Sequence, residues 1–113
     1  MKVIPVKPTS INKAFKGRKF KTKDYLTFEK DSLYFIKKHA LPDKPVGLKL
    51  EYGFSNSGQD IDSCIKMSQD ILQKKLGFDD KIIMQLIVDK KVVKKGQEYW
   101  AYEFYTIEYY TNT

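Results

Sequence analysis

The chain has a single cysteine and a single histidine in 113 residues, and each scarcity removes a class of chemistry. Cys64 alone cannot close an internal disulfide, and no Cys-x-x-Cys or paired Cys/His spacing offers a zinc site. Both features fit a reducing cytoplasm. His39, just before Ala40-Leu41-Pro42, reads as a helix-end residue, so Ser/His/Asp and Cys/His nucleophile schemes have little to build on. No apolar run approaches the roughly 20 residues that cross a bilayer, and there is no secretory core, so no membrane partner is expected. Repeats and low-complexity linkers are also missing, and the length allows one core, which predicts a single domain over residues 1–113. Small size and lysine richness fit a phage or prophage product.

Acidic residues are missing from one region altogether. Residues 1–23 hold eight basic side chains and no acid, whereas the remainder holds 13 basic and 14 acidic residues. The net charge of +7 therefore comes from the N-terminal fifth. A concentrated basic loop, about residues 7–23, is an electrostatic footprint for a polyanion. Asn12, Lys13, Lys16, Arg18, Lys19, Lys21 and Lys23 are its candidate DNA contacts. Phe15 and Phe20, interleaved with them, could tack the loop to the core or stack on unpaired bases.

Hydrophobic periodicity orders the rest. Val3 to Val6 reads as a short edge strand broken by prolines. Thr22 caps a helix expected over Lys23 to Ala40, with Pro42 forbidding continuation. The alternation from Val46 to Phe54 is a half-buried strand. A second helix is expected from Asp60 to Leu76, closed by Gly77. Ile82 to Val88, apolar on both faces, reads as a buried strand, and Tyr99 to Tyr110 as a last long one. The fold class is α+β, a small mixed β-sheet with two α-helices on one face. Tyr99, Trp100, Tyr102, Phe104, Tyr105 and Tyr109 on the last strand either fill the monomer core or build an interface.

Against the basic background stands an acidic island: Asp60-Ile61-Asp62, Lys66 four residues on, Asp70, and then Asp79-Asp80. Carboxylates two apart gather oxygens in a small volume, which suits a hard divalent cation. Each part also has a plain reading: Asp-x-Asp as a helix cap, Lys66 as a partner of Asp62 or Asp70, and Asp79-Asp80 as a turn. An EF-hand is rejected, because Ile65 replaces its obligatory glycine and Ile71 its closing glutamate.

The pattern Asp60-Ile61-Asp62-Ser63-Cys64-Ile65-Lys66, Asp70, then Asp79-Asp80 before a strand resembles the RusA family of Holliday junction resolvases. Pro8-Thr9-Ser10-Ile11-Asn12 and the Lys95-Gly96 turn are similar to further family segments, so the resemblance covers nearly the whole chain. It implies a RusA-like, homodimeric endodeoxyribonuclease that cuts branched DNA such as a four-way junction. It also implies dependence on Mg²⁺, with Mn²⁺ able to substitute, and no small-molecule cofactor. Asp60, Asp62 and Asp80 are then the metal-binding and catalytic carboxylates and Lys66 the catalytic cation, with Asp70, Asp79 and Ser63 in support. Ser63 departs from the family's asparagine. The competing class is a non-catalytic nucleic-acid-binding protein.

Geometry adds an expectation of its own. A helix from Asp62 to Leu76 would be about 21 Å long. Asp80 could then join Asp60 and Asp62 only if the helix were shorter, if the chain turned back sharply, or across a two-fold dimer. For the basic loop, replacing Lys16, Arg18 and Lys19 by alanine is expected to weaken DNA binding. It should also flatten the salt dependence by about 0.9 in log–log slope for every phosphate that is no longer neutralised, read by titration at several salt concentrations.

Overall fold

The computed structural model describes residues 1–9, 15–16 and 20–108, and for residues 15, 16, 20 and 21 only their backbone pairing. The elements are β1 (Lys2–Ile4), β2 (Phe15–Lys16), β3 (Phe20–Lys21), α1 (Lys23–Phe35), β4 (Val46–Phe54), α2 (Ile65–Leu76), a 3₁₀ turn (Asp80–Ile82), β5 (Ile83–Val92) and β6 (Tyr99–Thr106). Four strands form one mixed sheet in the order β1-β6-β4-β5, and β2 and β3 form a small antiparallel pair. The architecture is the expected α+β, with β1 at an edge. No helix is long and apolar enough to cross a membrane among the described residues.

β4 is the organising strand. It runs parallel to β5, with Val46 opposite Ile83 and Phe54 opposite Val92, and antiparallel to β6 from Val46↔Thr106 to Gly53↔Tyr99. Its inward alternation of Leu48, Leu50, Tyr52 and Phe54 is buried with Trp100 and Tyr102 of β6 and Ile4 of β1. Both helices pack on that face, through Tyr25 and Phe28 of α1 and Met67, Ile71 and Leu72 of α2. Trp100 and Tyr102 thus fill the monomer core, which settles the role of those two aromatics.

Among the described residues the outward face carries no helix, and its two glycines explain how it is closed. Rings of Tyr105 and Tyr99 lie directly over Gly47 and Gly53, in space that a Cβ would need. Beside them, the Tyr99 hydroxyl donates to Glu51 at 2.7 Å, Lys91 pairs with Glu51 at 3.2 Å, and Lys49 lies 3.8 Å from Asp89. Aromatic shielding and paired charges let this face meet water.

Several elements differ from the sequence reading: β1 covers Lys2–Ile4 and not Val3 to Val6, β5 runs from Ile83 on past Val88 to Val92, and β6 ends at Thr106, short of Tyr110. Helix α1 ends at Phe35 and not at Ala40. Ile36 turns extended and drives its side chain into the core, and His39 then reaches back to the Tyr102 hydroxyl at 2.9 Å. Helix α2 starts at Ile65 and not at Asp60, because a turn occupies the residues before it. Finally, β5 is an edge strand, with Met84, Leu86, Ile87 and Val92 each exposed by 41% or more. An apolar run signals a strand, but local sequence does not say whether a neighbour covers it. The basic loop is also not wholly irregular, since β2 and β3 pair within it.

Gly47→Ala is expected to cost about 1–3 kcal/mol through overpacking. Adding Tyr105→Ala should recover part of that loss relative to the sum of the single changes, measured by urea unfolding of the four proteins in the cycle.

Candidate functional site

The acidic island sits on the turn between β4 and α2. Asp60 and Asp62 occupy a turn, not a helix, because the Ser63 hydroxyl and amide both donate to the Asp60 carbonyl, at 2.8 and 3.2 Å. A hydroxyl that takes a local carbonyl competes with the helical ladder and delays it. Gln59 Nε2 donates to Ser63 Oγ at 2.9 Å, closing the turn from the other side. Asp60 and Asp62 are both exposed.

The turn is fastened to the core through a buried relay. Tyr52 of β4 donates to Ser68 Oγ at 2.9 Å, and Ser68 donates to the Cys64 carbonyl, also at 2.9 Å. Cys64 in turn donates through Sγ to the Thr9 carbonyl at 3.1 Å. The root of the basic segment is thereby held against the acidic turn. A cleft of about 620 Å³ lies alongside, with Lys7, Thr9, Lys23, Asp24, Asp31 and Gln59 among its lining.

At the start of α2, Lys66 bridges two acids: Nζ lies 3.2 Å from Asp70 Oδ1 and 3.4 Å from Asp80 Oδ2. The hydrogen bond and charge of Asp70, then those of Asp80, hold the ammonium above its ordinary range. All three side chains are at least 41% exposed, so the bridge contributes little to stability. Asp80 reaches Lys66 because Gly77, at φ 72°, reverses the chain. Of the routes expected for Asp80, the sharp return within one chain is thus realised as far as Lys66. The other oxygen of Asp80, Oδ1, is buried with no hydrogen-bond partner among the described residues. Asp79 has a plain role: its side chain caps the 3₁₀ turn by accepting from the Lys81 amide at 3.0 Å.

The structure does not draw Asp60, Asp62 and Asp80 together. Among the described residues no three His, Cys, Asp or Glu side chains form a group that could hold a metal ion. The register supplies the reason. Asp60 follows the C-terminal end of β4, whereas Asp80 precedes the N-terminal end of the parallel β5. Nine residues of strand, about 26 Å at 3.3 Å per step, lie between those two ends of the sheet. Donor chemistry still fits a hard cation, since carboxylate oxygens are the ligands it prefers and Asp80 Oδ1 has no hydrogen-bond partner among the described residues.

Asn12, Lys13, Arg18 and Lys19 lie outside the described residues; Lys16 and Lys21 fall in β2 and β3, and Lys23, exposed, opens α1. Sequence reasoning missed the Cys64–Thr9 tether and the grip of Lys90 on the loop before Asp60, at 3.2 Å to the Ser57 carbonyl and 2.9 Å to that of Gln59. Neither has a local signal, as both join residues more than 30 positions apart. No protein-family model matches the chain, and no curated protein is similar to it.

Burial pushes the Cys64 thiol from 9.0 up to about 11. As pH rises past 9, the unfolded thiol ionises first, so this group's contribution is complete below pH 9 and is lost toward 11. The tyrosines with raised values act in the same direction, increasingly as pH nears and passes 10. The thiol by itself is expected to lower stability by about 1 kcal/mol between pH 8.5 and 9.8. Cys64→Ser, which cannot ionise but can still donate to Thr9, should remove that share and leave the tyrosines' share of the slope in urea unfolding.

Proposed function

We propose that this chain is a divalent-metal-dependent endodeoxyribonuclease that acts on branched DNA, the four-way junction foremost, as a homodimer of RusA-like subunits. The observation that carries the reading is Asp80, with one carboxylate oxygen on Lys66 and the other buried without a hydrogen-bond partner among the described residues. Leaving a buried carboxylate oxygen unsatisfied is costly, and a cation is one group that removes the cost. The tether from Cys64 to Thr9 supports it as well, because it roots a strongly basic segment beside the acidic turn.

Asp60, Asp62 and Asp80 would hold Mg²⁺ or Mn²⁺. Such an ion supplies charge neutralisation at the scissile phosphate and a bound water of lowered pKa. Lys66, already shared between Asp70 and Asp80, offsets negative charge that develops on the phosphorus oxygens. Ser63 and Gln59 fix the backbone from which Asp60 projects. The basic segment grips the DNA arms through phosphates, without reading sequence.

A dimer gives Asp60 and Asp62 a second route to a third carboxylate, namely Asp80 of the partner subunit. Two-fold symmetry also matches the two equivalent strands of a junction. The alternative, a nucleic-acid-binding protein without catalysis, is favoured by one observation: the acids do not converge within one chain.

Incubating the protein with a synthetic four-way junction and with linear duplex, in Mg²⁺ or in EDTA, separates the two. Paired cuts in the junction only with metal are expected. Asp60→Asn, Asp62→Asn and Asp80→Asn should each reduce cutting by about 10²-fold or more while junction binding in EDTA persists. Mixing Asp60→Asn with Asp80→Asn subunits should restore cutting at one site if the sites are shared. Binding with no metal-dependent cut would leave the non-catalytic reading.

A further inference from the structure

We propose that Lys90 is a positioning residue for Asp60, holding the backbone that presents this carboxylate; the inference deepens the nuclease reading and rests on it. Lys90 stands near the end of β5, opposite Tyr52 in the parallel register. Its Nζ donates to the carbonyls of Ser57 and Gln59, at 3.2 and 2.9 Å. Its neighbours make ion pairs, Asp89 with Lys49 and Lys91 with Glu51. Lys90 has no carboxylate partner among the described residues and spends its charge on two backbone oxygens.

The loop it holds needs an external tie. Ser55-Asn56-Ser57-Gly58 consists of small residues with high conformational freedom. Ser55 is anchored to Glu98 at 2.8 Å, and Asn56 Oδ1 accepts from the Gly58 amide, also at 2.8 Å. Past Gly58, Lys90 links the loop to the sheet at the residue immediately before Asp60. Asp60 is then fixed from both sides, since Lys90 holds the Gln59 carbonyl and Ser63 holds that of Asp60. A carboxylate on an ordered backbone binds a cation without first losing chain entropy. Without Lys90 that ordering must accompany binding, and metal affinity falls.

The test uses the full chain, Lys90→Met, Lys90→Arg and a synthetic four-way junction. Lys90→Met should raise the Mg²⁺ concentration for half-maximal cutting by about tenfold, the range for residues that orient metal ligands. It should leave junction affinity in EDTA and its salt slope unchanged. Amide exchange at residues 57–60 should speed up in the free protein, with the urea midpoint unmoved. Lys90→Arg, whose guanidinium can also span two carbonyls, should restore the Mg²⁺ response. An unchanged Mg²⁺ response overturns the proposal. So does weaker binding in EDTA with a flattened salt slope, which would make Lys90 a phosphate contact. If the unaltered protein does not cut at all, the nuclease reading fails by itself. Amide exchange then decides the inference: faster exchange at residues 57–60 in Lys90→Met upholds it, and equal exchange overturns it.

Discussion

The pairing of β4 on both of its edges is the constraint from which the other features of the molecule follow. With one face toward the helices and the other toward water, this paired strand satisfies both through alternating residues. On the inward face, Leu48, Leu50, Tyr52 and Phe54 make one core with both helices. On the outward face, two glycines leave room for tyrosine rings, and the charged residues between them are paired. Slipping the register by one residue would put Lys49 and Glu51 into the core and leave Leu48 and Leu50 in water.

The same strand connects packing to the candidate site. Tyr52 is fully buried, yet its hydroxyl starts the relay through Ser68 to Cys64 that anchors the acidic turn. Each buried polar group in that relay has a partner, so the turn inherits the rigidity of the core. The parallel alignment of β4 with β5 has the opposite effect on the carboxylates. It sends Asp60 and Asp80 toward opposite ends of the sheet, and the return at Gly77 brings Asp80 only as far as Lys66 and Asp70. Local anchoring and global separation together leave the acidic turn well held and Asp80 apart from it.

What was legible in the sequence followed how local the determining rule is. The limits of β4, the Thr22 cap, the stop at Gly77 and the edge position of β1 depend on alternation, capping chemistry, left-handed glycine and proline, all short-range. The start of α2 was misplaced because the Ser63 hydroxyl diverts the Asp60 carbonyl, a choice that periodicity does not register. The end of α1 was misplaced because Ile36 fills the core and His39 meets Tyr102, 63 residues away. The edge status of β5 depends on which strands lie beside it, and so does the meeting of Lys66 with Asp80. For the candidate site, residue types and spacing identified the acidic island, and only the folded chain shows which of its members touch.

The uncovered margin of β5 has a consequence for how the molecule behaves in company. Its backbone groups facing away from β4 have no strand neighbour among the described residues, and apolar side chains project on both of its faces. Asp89, Lys90 and Lys91 place charge at one end of that margin, a device that discourages edge-to-edge pairing. Added electrolyte screens such charge and so lowers the barrier to two margins meeting. The ionic composition around this protein therefore acts on how readily two such margins approach each other.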